Sequence, residues 1–129
     1  MKFLLDTHVL IWLLAGSTRV SPDLYDLLSN PVHAVYVSAA SAWEIAIKVG
    51  LGKLEMPSNL EHWLPAEIAA AGLKVLPIQL DHALGVELLP RHHTDPFDRL
   101  LIAQAVAEDL TLVSADRAFD AYDVRLMRC

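Results

Sequence analysis

The alternation of short apolar runs with segments of helical length constrains the fold of this chain most strongly. The short runs are KFLLD (2–6), HAVYVS (33–38), KVLPI (74–78), TLVS (111–114) and VRLM (124–127). Brief apolar runs rich in β-branched residues are typical of strands buried on both faces. Strands that alternate with helices favour a parallel sheet between helical layers. We therefore predict an α/β three-layer sandwich with a central parallel sheet, in a single domain spanning residues 1–129.

Residues that cap helices mark the boundaries of the helical segments. Gly16 is a typical helix end, and the Ser-Pro pair at 21–22 is a typical helix start. Ser58 and Glu61 have the spacing of a capping box. The predicted helices cover 7–16, 21–30, 39–52, 58–72, 81–89 and 95–109, with a helical turn over 116–122.

Composition favours a cytoplasmic protein with a partner. Asp6 and His8 interrupt the apolar start, which argues against a secretory signal, and no apolar run approaches the ~18 residues of a membrane span. A single cysteine suits a reducing compartment. The apolar share of 54% exceeds the ~45–50% that is usual. We expect the additional apolar residues to form, besides a deep core, a surface that binds a partner, such as a second copy of the chain or a regulator.

Charge argues against a general nucleic-acid binder, because 16 acidic and 10 basic residues give a net charge of −6. Several basic residues could nevertheless contact a phosphate backbone, although ordinary surface solvation also explains each of them. They are Arg91, His92, His93, Arg99 and Arg117.

Four acidic residues are expected to meet at one edge of the predicted sheet. Asp6 ends the first strand, Asp116 follows the fourth after one residue, and Asp98 lies in the first turn of a helix. Glu44 lies about two turns into the helix after the second strand. In a parallel sheet with helical crossovers, strand ends and helix starts lie at the same edge.

Each acid also has a purely structural interpretation. Asp6, Asp95 and Asp116 are suited to capping helices. Asp98 would favour the positive end of a helix dipole, and Glu44 could pair with Lys48 at a spacing of four. For Asp95 we favour capping, whereas for Asp98 the residues alone leave both interpretations open.

Convergence of four carboxylates would require a counterion. Two carboxylates about 4 Å apart repel by ~4 kcal/mol at an effective dielectric constant of 20. Carboxylate oxygens suit Mg²⁺ or Mn²⁺. Such a cation could activate water and stabilise charge on a phosphoryl oxygen, so the expected reaction is phosphodiester hydrolysis.

Four stretches of the sequence resemble PIN-domain proteins, particularly the VapC-type toxins of bacterial toxin–antitoxin pairs. They are LLDTHVLIW, VSAASAWEIAIKVGLGKL, DPFDRLLIAQA and LVSADRAF, and the resemblance extends from about Lys2 to Leu126. It implies a Mg²⁺- or Mn²⁺-dependent endoribonuclease that acts on RNA, commonly dimerises and is inhibited by a cognate antitoxin.

The resemblance also implies roles for individual residues. The four acid positions of the family correspond to Asp6, Glu44, Asp98 and Asp116. Asp98 rather than Asp95 matches, because it directly precedes the apolar RLLIAQA. Thr7 and Ser114 match polar positions that support the acids. The resulting hypothesis is that Asp6, Asp98 and Asp116 bind one or two metal ions and that Glu44 completes the site, directly or through water.

Three other functions compete with this hypothesis. A receiver-like signalling domain would need a lysine after a late strand, where the chain has Asp116 and Arg117. A phosphatase with an aspartyl nucleophile would need an acid at position 8, which is His8. A non-catalytic partner-binding domain, whose acids only cap helices, predicts no stabilisation by Mg²⁺ or Mn²⁺.

Overall fold

The computed structural model describes residues 1–92 and 94–129, so His93 lies outside the described residues. The strands are β1 (Lys2–Leu5), β2 (Ala34–Ser38), β3 (Lys74–Leu76), β4 (Thr111–Ser114) and β5 (Leu126–Arg128). The α-helices are α1 (Thr7–Ala15), α2 (Pro22–Ser29), α3 (Ala39–Gly50), α4 (Leu60–Ala70), α5 (Leu80–Gly85) and α6 (Pro96–Glu108). Short 3₁₀ helices cover Val86–Leu88 and Arg117–Ala121.

The five strands form one parallel sheet in the order β3-β2-β1-β4-β5. Leu5, the last residue of the central strand β1, is paired with Val37 on one side and Val113 on the other. The predicted α/β sandwich with a central parallel sheet is therefore confirmed, and the ends of β1, β2 and β4 lie side by side.

Two apolar layers pack on opposite faces of the sheet, because neighbouring strand residues point to opposite sides. Phe3 and Leu5 lie in one layer with Val113. Leu4 lies in the other layer with Leu112. All five side chains are buried, which explains why these strands read as continuous apolar runs.

The observed helix caps agree with the predicted ones at α1 and α2 but not at α4. Gly16 ends α1 with a φ of 65°, and the Ser21 side chain accepts a hydrogen bond from the N–H of Leu24 at the start of α2. The capping box predicted at Ser58 and Glu61 is wrong. Helix α4 begins at Leu60 with Asn59 as its cap, and no side chain caps it.

Two predicted strands differ from the observed ones by two residues at one end, whereas β1 and β2 are each one residue shorter than predicted. β3 ends at Leu76 rather than at residue 78, because Pro77 has no N–H to donate to a neighbouring strand. β5 begins at Leu126 rather than at Val124, whose N–H bonds to Tyr122 O at 3.0 Å in a turn. Both differences lie outside the centre of the sheet. Among the residues that the structure describes, no helix is long and apolar enough to cross a membrane.

Candidate active site

The carboxyl edge of the sheet brings Asp6 and Asp116 to neighbouring strand ends. Asp6 directly follows β1, and its N–H donates to Val113 O of β4 at 3.0 Å. Asp116 lies two residues beyond the end of β4. The register of these two parallel strands therefore places residues from the two ends of the chain next to each other.

Asp6 both caps a helix and takes part in the polar network at this edge. Its Oδ1 accepts a hydrogen bond from the N–H of Val9 at 2.8 Å, which caps α1. Its Oδ2 accepts a hydrogen bond from the Ser114 hydroxyl. Ser114 Oγ in turn accepts from the N–H of Asp116 at 2.9 Å. Capping thus accounts for one Asp6 oxygen, while the other is linked to the strand that leads to Asp116.

Asp116 has a capping role as well. Its Oδ1 accepts a hydrogen bond from the N–H of Ala118 at 2.9 Å, which begins the 3₁₀ helix Arg117–Ala121. The side chain is otherwise exposed to solvent at the carboxyl edge. The structural interpretation of Asp116 is therefore correct, and it does not exclude a second role.

Glu44 is a buried carboxylate that is only half satisfied by protein contacts. It is 4% exposed on α3. Its Oε2 pairs with Lys48 Nζ at 2.8 Å, as the spacing of four predicted. Its Oε1 is buried and has no hydrogen-bond partner among the described residues. Buried polar atoms in folded proteins are normally paired, so this oxygen lacks a partner of the kind that a cation could supply.

Asp95 and Asp98 have different roles at the start of α6. Asp95 Oδ1 accepts hydrogen bonds from the N–H of Phe97 at 2.9 Å and from that of Asp98 at 3.1 Å. Asp95 is therefore the helix cap that the sequence predicts. Asp98 lies in the first turn, at the end of the helix that faces the carboxyl edge of the sheet.

The pKa of Asp98 reflects the other acids that lie near it. The pKa of its carboxyl is raised from 3.8 to about 7, and loss of surrounding water through burial is the largest cause. Repulsion from four other carboxylates raises the pKa further, in the order Asp95, Glu44, Asp116 and Asp6. All four acids singled out by the sequence therefore share one electrostatic environment at one end of the fold.

Burial also raises the pKa of Asp6, and the negative charge of Asp116 adds to this effect. The hydrogen bonds from Ser114 and from the N–H of Val9 oppose the rise, as does the nearby His8. These bonds favour the charged carboxylate that a cation requires.

The carboxylate oxygens at this edge are the type of ligand that a hard divalent cation prefers, although the acids do not form a complete coordination shell among the described residues. Among the described residues, no three His, Cys, Asp or Glu side chains lie close enough together to form a metal site by themselves. Mg²⁺ usually keeps several water molecules and needs only one or two direct carboxylates. The unpaired Glu44 Oε1 and the mutually repelling carboxylates around Asp98 are consistent with such a site.

Three contacts fix the helices that carry the acids. Thr7 Oγ1 donates to Ser41 Oγ at 3.0 Å and so joins α1 to α3. The rings of Trp43 and Phe97 meet edge to face at 5.3 Å, directly beside Glu44 and Asp98. A third contact links the start of α3 to α6: Ser38 Oγ donates to Gln104 Oε1 at 2.5 Å.

The sequence analysis did not identify Ser41 or Gln104 as part of this support. A usable signal was present, since each is a polar residue among mainly apolar neighbours in a helix. Buried polar side chains require partners, so such positions point to contacts between elements.

Arg99 does not serve the phosphate-contacting role considered for it. Its side chain is only 7% exposed, and its guanidinium donates to Pro90 O at 2.8 Å, to Val86 O at 3.0 Å and to the Tyr122 hydroxyl at 3.2 Å. Arg99 therefore holds the segment before α6 in place. Arg91, His92 and Arg117 are exposed and remain available to solvent.

Comparison with known proteins extends the sequence resemblance. The family model of the PIN domain matches residues 3–125. Ribonuclease VapC16 of Mycobacterium tuberculosis is 41% identical over 51 residues, covering 40% of this chain and 35% of that protein. The match thus spans little more than a third of this curated relative.

Two solved structures share the fold over nearly the whole chain. VapBC2 from Rickettsia felis, bound to a DNA fragment from their promoter, gives a TM-score of 0.75 at 16% identity, covering 100% of this chain and 99% of that one. DNA-bound VapBC from Salmonella typhimurium gives 0.73 at 18% identity, with coverages of 99% and 98%. At these identities the similarity establishes the fold alone. Together the comparisons confirm the resemblance to VapC-type PIN proteins.

Proposed function

This chain belongs to the PIN-domain family, and from that premise we propose that it is a divalent-metal-dependent endoribonuclease. In this proposal it is the toxin of a VapBC-type pair, acts in the cytoplasm as a single PIN-like domain, and is inhibited by a cognate antitoxin. The name of the curated relative, a VapC ribonuclease, supports RNA as the substrate. The VapBC structures that share the fold support the antitoxin partner.

The observation that carries the proposal is the convergence of carboxylates at the carboxyl edge of the sheet. Asp6 follows β1, Glu44 lies on α3, Asp98 on α6, and Asp116 follows β4. The charges of the other three acids all raise the pKa of Asp98. Repulsion among these carboxylates destabilises the folded protein unless a cation offsets it. We assign Asp6, Glu44, Asp98 and Asp116 as the residues that would hold Mg²⁺ or Mn²⁺.

When bound, a divalent cation activates water at neutral pH and stabilises negative charge on a phosphoryl oxygen. The side chains prepare the site for it. The bond from Ser114 to Asp6 Oδ2 favours the charged form of Asp6 and opposes the effect of burial. Lys48 pairs with one oxygen of Glu44 and leaves the other without a partner among the described residues. Asp98, with a pKa of about 7, carries a proton in roughly half of the cation-free molecules at neutral pH. Binding of the cation would therefore release protons.

The exposed apolar surface supports partner binding. Several large side chains on the outer helices are more than half exposed: Tyr25, Trp43, Leu51, Leu80, Leu84, Leu88 and Val106. This agrees with the high apolar share of the sequence. We propose that part of this surface contacts a second copy of the chain and that part contacts the antitoxin.

A non-catalytic partner-binding domain is the second candidate, because Asp6, Asp95 and Asp116 all cap helices. Capping does not explain why Glu44 is buried with an unpaired oxygen, nor why Asp98 is placed among other carboxylates. A receiver-like domain has no comparable support.

Cleavage of RNA by the purified chain tests the proposal. We expect cleavage with Mg²⁺ or Mn²⁺, none with excess chelator, and a loss of at least about a hundredfold in Asp6→Asn and Asp98→Asn. Ser17→Ala serves as the control, because among the described residues the Ser17 hydroxyl makes one hydrogen bond, accepted from the N–H of Arg19. Cleavage that survives the chelator or both substitutions would refute the proposal and favour the non-catalytic candidate.

A further inference from the structure

A cleft between α1 and α3 opens beside the carboxylates. Its volume is about 420 Å³, within the ~300–1,000 Å³ of small-molecule sites. The lining residues are Thr7, His8, Ile11, Trp12, Ile45, Lys48, Lys53 and Leu54.

Two of the residues that line the cleft, Thr7 and Lys48, adjoin acids of the site. Thr7 follows Asp6 in the chain and bonds to Ser41 across the two helices. Lys48 lines the cleft and also pairs with Glu44 at 2.8 Å. A polymer whose reacting phosphate lay at the carboxylates would therefore extend directly into this cleft.

The charge of the cleft is opposite to that of the site beside it. It is lined by two lysines and a histidine, with no acid among its lining residues. The position of Lys53 is fixed by the end of α3: its N–H donates to Lys48 O at 2.8 Å, and Gly52 precedes it with a φ of 71°. Glycine adopts this left-handed conformation without the strain that a Cβ would cause. The turn thus holds two ammonium-bearing residues at one wall.

The other wall is aromatic. The rings of His8 and Trp12 lie 6.0 Å apart on one face of α1, and the Arg19 guanidinium lies 5.2 Å from the Trp12 ring. Trp12 is partly buried and lines the cleft, so part of its indole is exposed there, while the Arg19 guanidinium lies over the ring. Aromatic rings next to cations are the usual combination for holding a single-stranded nucleic acid, with bases on the rings and phosphates on the cations.

We propose that this cleft binds the nucleotide next to the scissile phosphate of a single-stranded RNA. The neighbouring phosphate contacts Lys48 and Lys53, and the base stacks on Trp12 beside His8. The inference rests on the proposed endoribonuclease function and specifies how the substrate is held there. It also explains how a chain with a net charge of −6 brings a polyanion to a cluster of acids.

Binding without cleavage tests this inference. The probe is a short, fluorescein-labelled single-stranded RNA of random sequence, titrated in excess EDTA so that no divalent cation is present. The variants are Lys53→Ala and Trp12→Leu, because both residues line the cleft and, among the described residues, neither side chain forms a hydrogen bond or ion pair with an acid of the site. Lys2→Ala is the matched control, since it removes the same charge at the opposite, amino end of β1.

We expect Lys53→Ala to weaken binding and to reduce the slope of log K against log salt concentration by about 0.7, as for one lost phosphate contact. Trp12→Leu should weaken binding by about fivefold or more through lost stacking. Lys2→Ala should match the parent. Parent-like binding by both cleft variants, an equal loss in Lys2→Ala, or no binding by the parent would overturn the inference.

A parallel cleavage assay with Mg²⁺ separates this inference from the function on which it rests. We expect Lys53→Ala to raise KM with little change in kcat, because it removes substrate binding remote from the reacting atoms. If the parent cleaves RNA while both cleft variants bind normally, the cleft inference fails and the proposed function stands. If the parent binds RNA through the cleft but never cleaves it, the proposed function fails and the binding site stands.

Discussion

The Ser114 hydroxyl donates a hydrogen bond to Oδ2 of Asp6, across two neighbouring parallel strands and 108 positions of sequence. The same oxygen of Ser114 accepts from the N–H of Asp116 at 2.9 Å. One side chain therefore fixes both acids at the ends of β1 and β4. The geometry of the acidic site depends on this bond as well as on the carboxylates themselves.

Replacing Ser114 by alanine should weaken cation binding without unfolding the protein. The hydrogen bond from Ser114 lowers the pKa of Asp6, so its loss raises that pKa further and leaves less of the charged ligand. We expect Kd for Mn²⁺ to rise about tenfold, as for other residues that orient metal ligands. Calorimetric titration measures this, and Ser17→Ala is the control. An unchanged Kd would mean that Ser114 does not orient Asp6 for binding.

Replacing Asp98 by asparagine should stabilise the cation-free protein increasingly as pH rises above about 4, with the full effect above about pH 7. The carboxyl has a pKa of about 7 when folded, raised from the ordinary value of 3.8 that holds in the unfolded chain. Between these values the folded state binds more protons, so its free energy of unfolding falls as pH rises from about 4 to 7. Asparagine carries no charge at any of these pH values, so the variant does not undergo this fall in the free energy of unfolding.

Urea unfolding in EDTA at pH 5 and at pH 8 measures the effect. We expect the stability of Asp98→Asn relative to the parent to increase between the two pH values. Asp23→Asn is the matched control, because Asp23 is an exposed acid in the first turn of α2 and should show no such increase. A difference that is the same at both pH values would contradict the electrostatic strain assigned to Asp98.

Asp95 should matter for folding rather than for cation binding. Its Oδ1 accepts two backbone bonds at the start of α6, and loss of a helix cap costs about 1 kcal/mol. We expect Asp95→Ala to lose about that much stability and Asp95→Asn much less, since asparagine also caps helices. Both should still be stabilised by Mn²⁺ in thermal melts. Loss of that stabilisation in both variants would make Asp95 a ligand rather than a cap.

The centre of this fold was predictable because its signals are local. Short apolar runs predicted β1, β2 and β4, and Asp95 with Pro96 predicted the start of α6, which the structure confirms. Prediction failed where local patterns compete. Helix α4 begins at Leu60, so Ser58 and Glu61 do not stand in the register that a capping box needs.

The candidate site was predictable in outline from topology, since parallel strands with helical crossovers bring their ends to one edge. The contacts that hold the site in place were not predictable from the sequence. Arg99 donates to backbone carbonyls instead of facing solvent. These bonds depend on the path of residues 86–90 before α6, which no local pattern in the sequence specifies. The Ser38–Gln104 bond likewise joins residues 66 positions apart, and their pairing follows from packing rather than from any local pattern.

Stabilisation by a divalent cation tests the central claim most directly. Thermal melts with increasing Mn²⁺ would compare the parent with Asp6→Asn, Glu44→Gln, Asp98→Asn and Asp116→Asn, with Asp23→Asn as the control. We expect the parent and the control to gain about 2.7 kcal/mol at a concentration one hundred times Kd, and the four variants to gain much less. No gain in the parent, or an equal gain in all four variants, would contradict the claim that these carboxylates form a cation site.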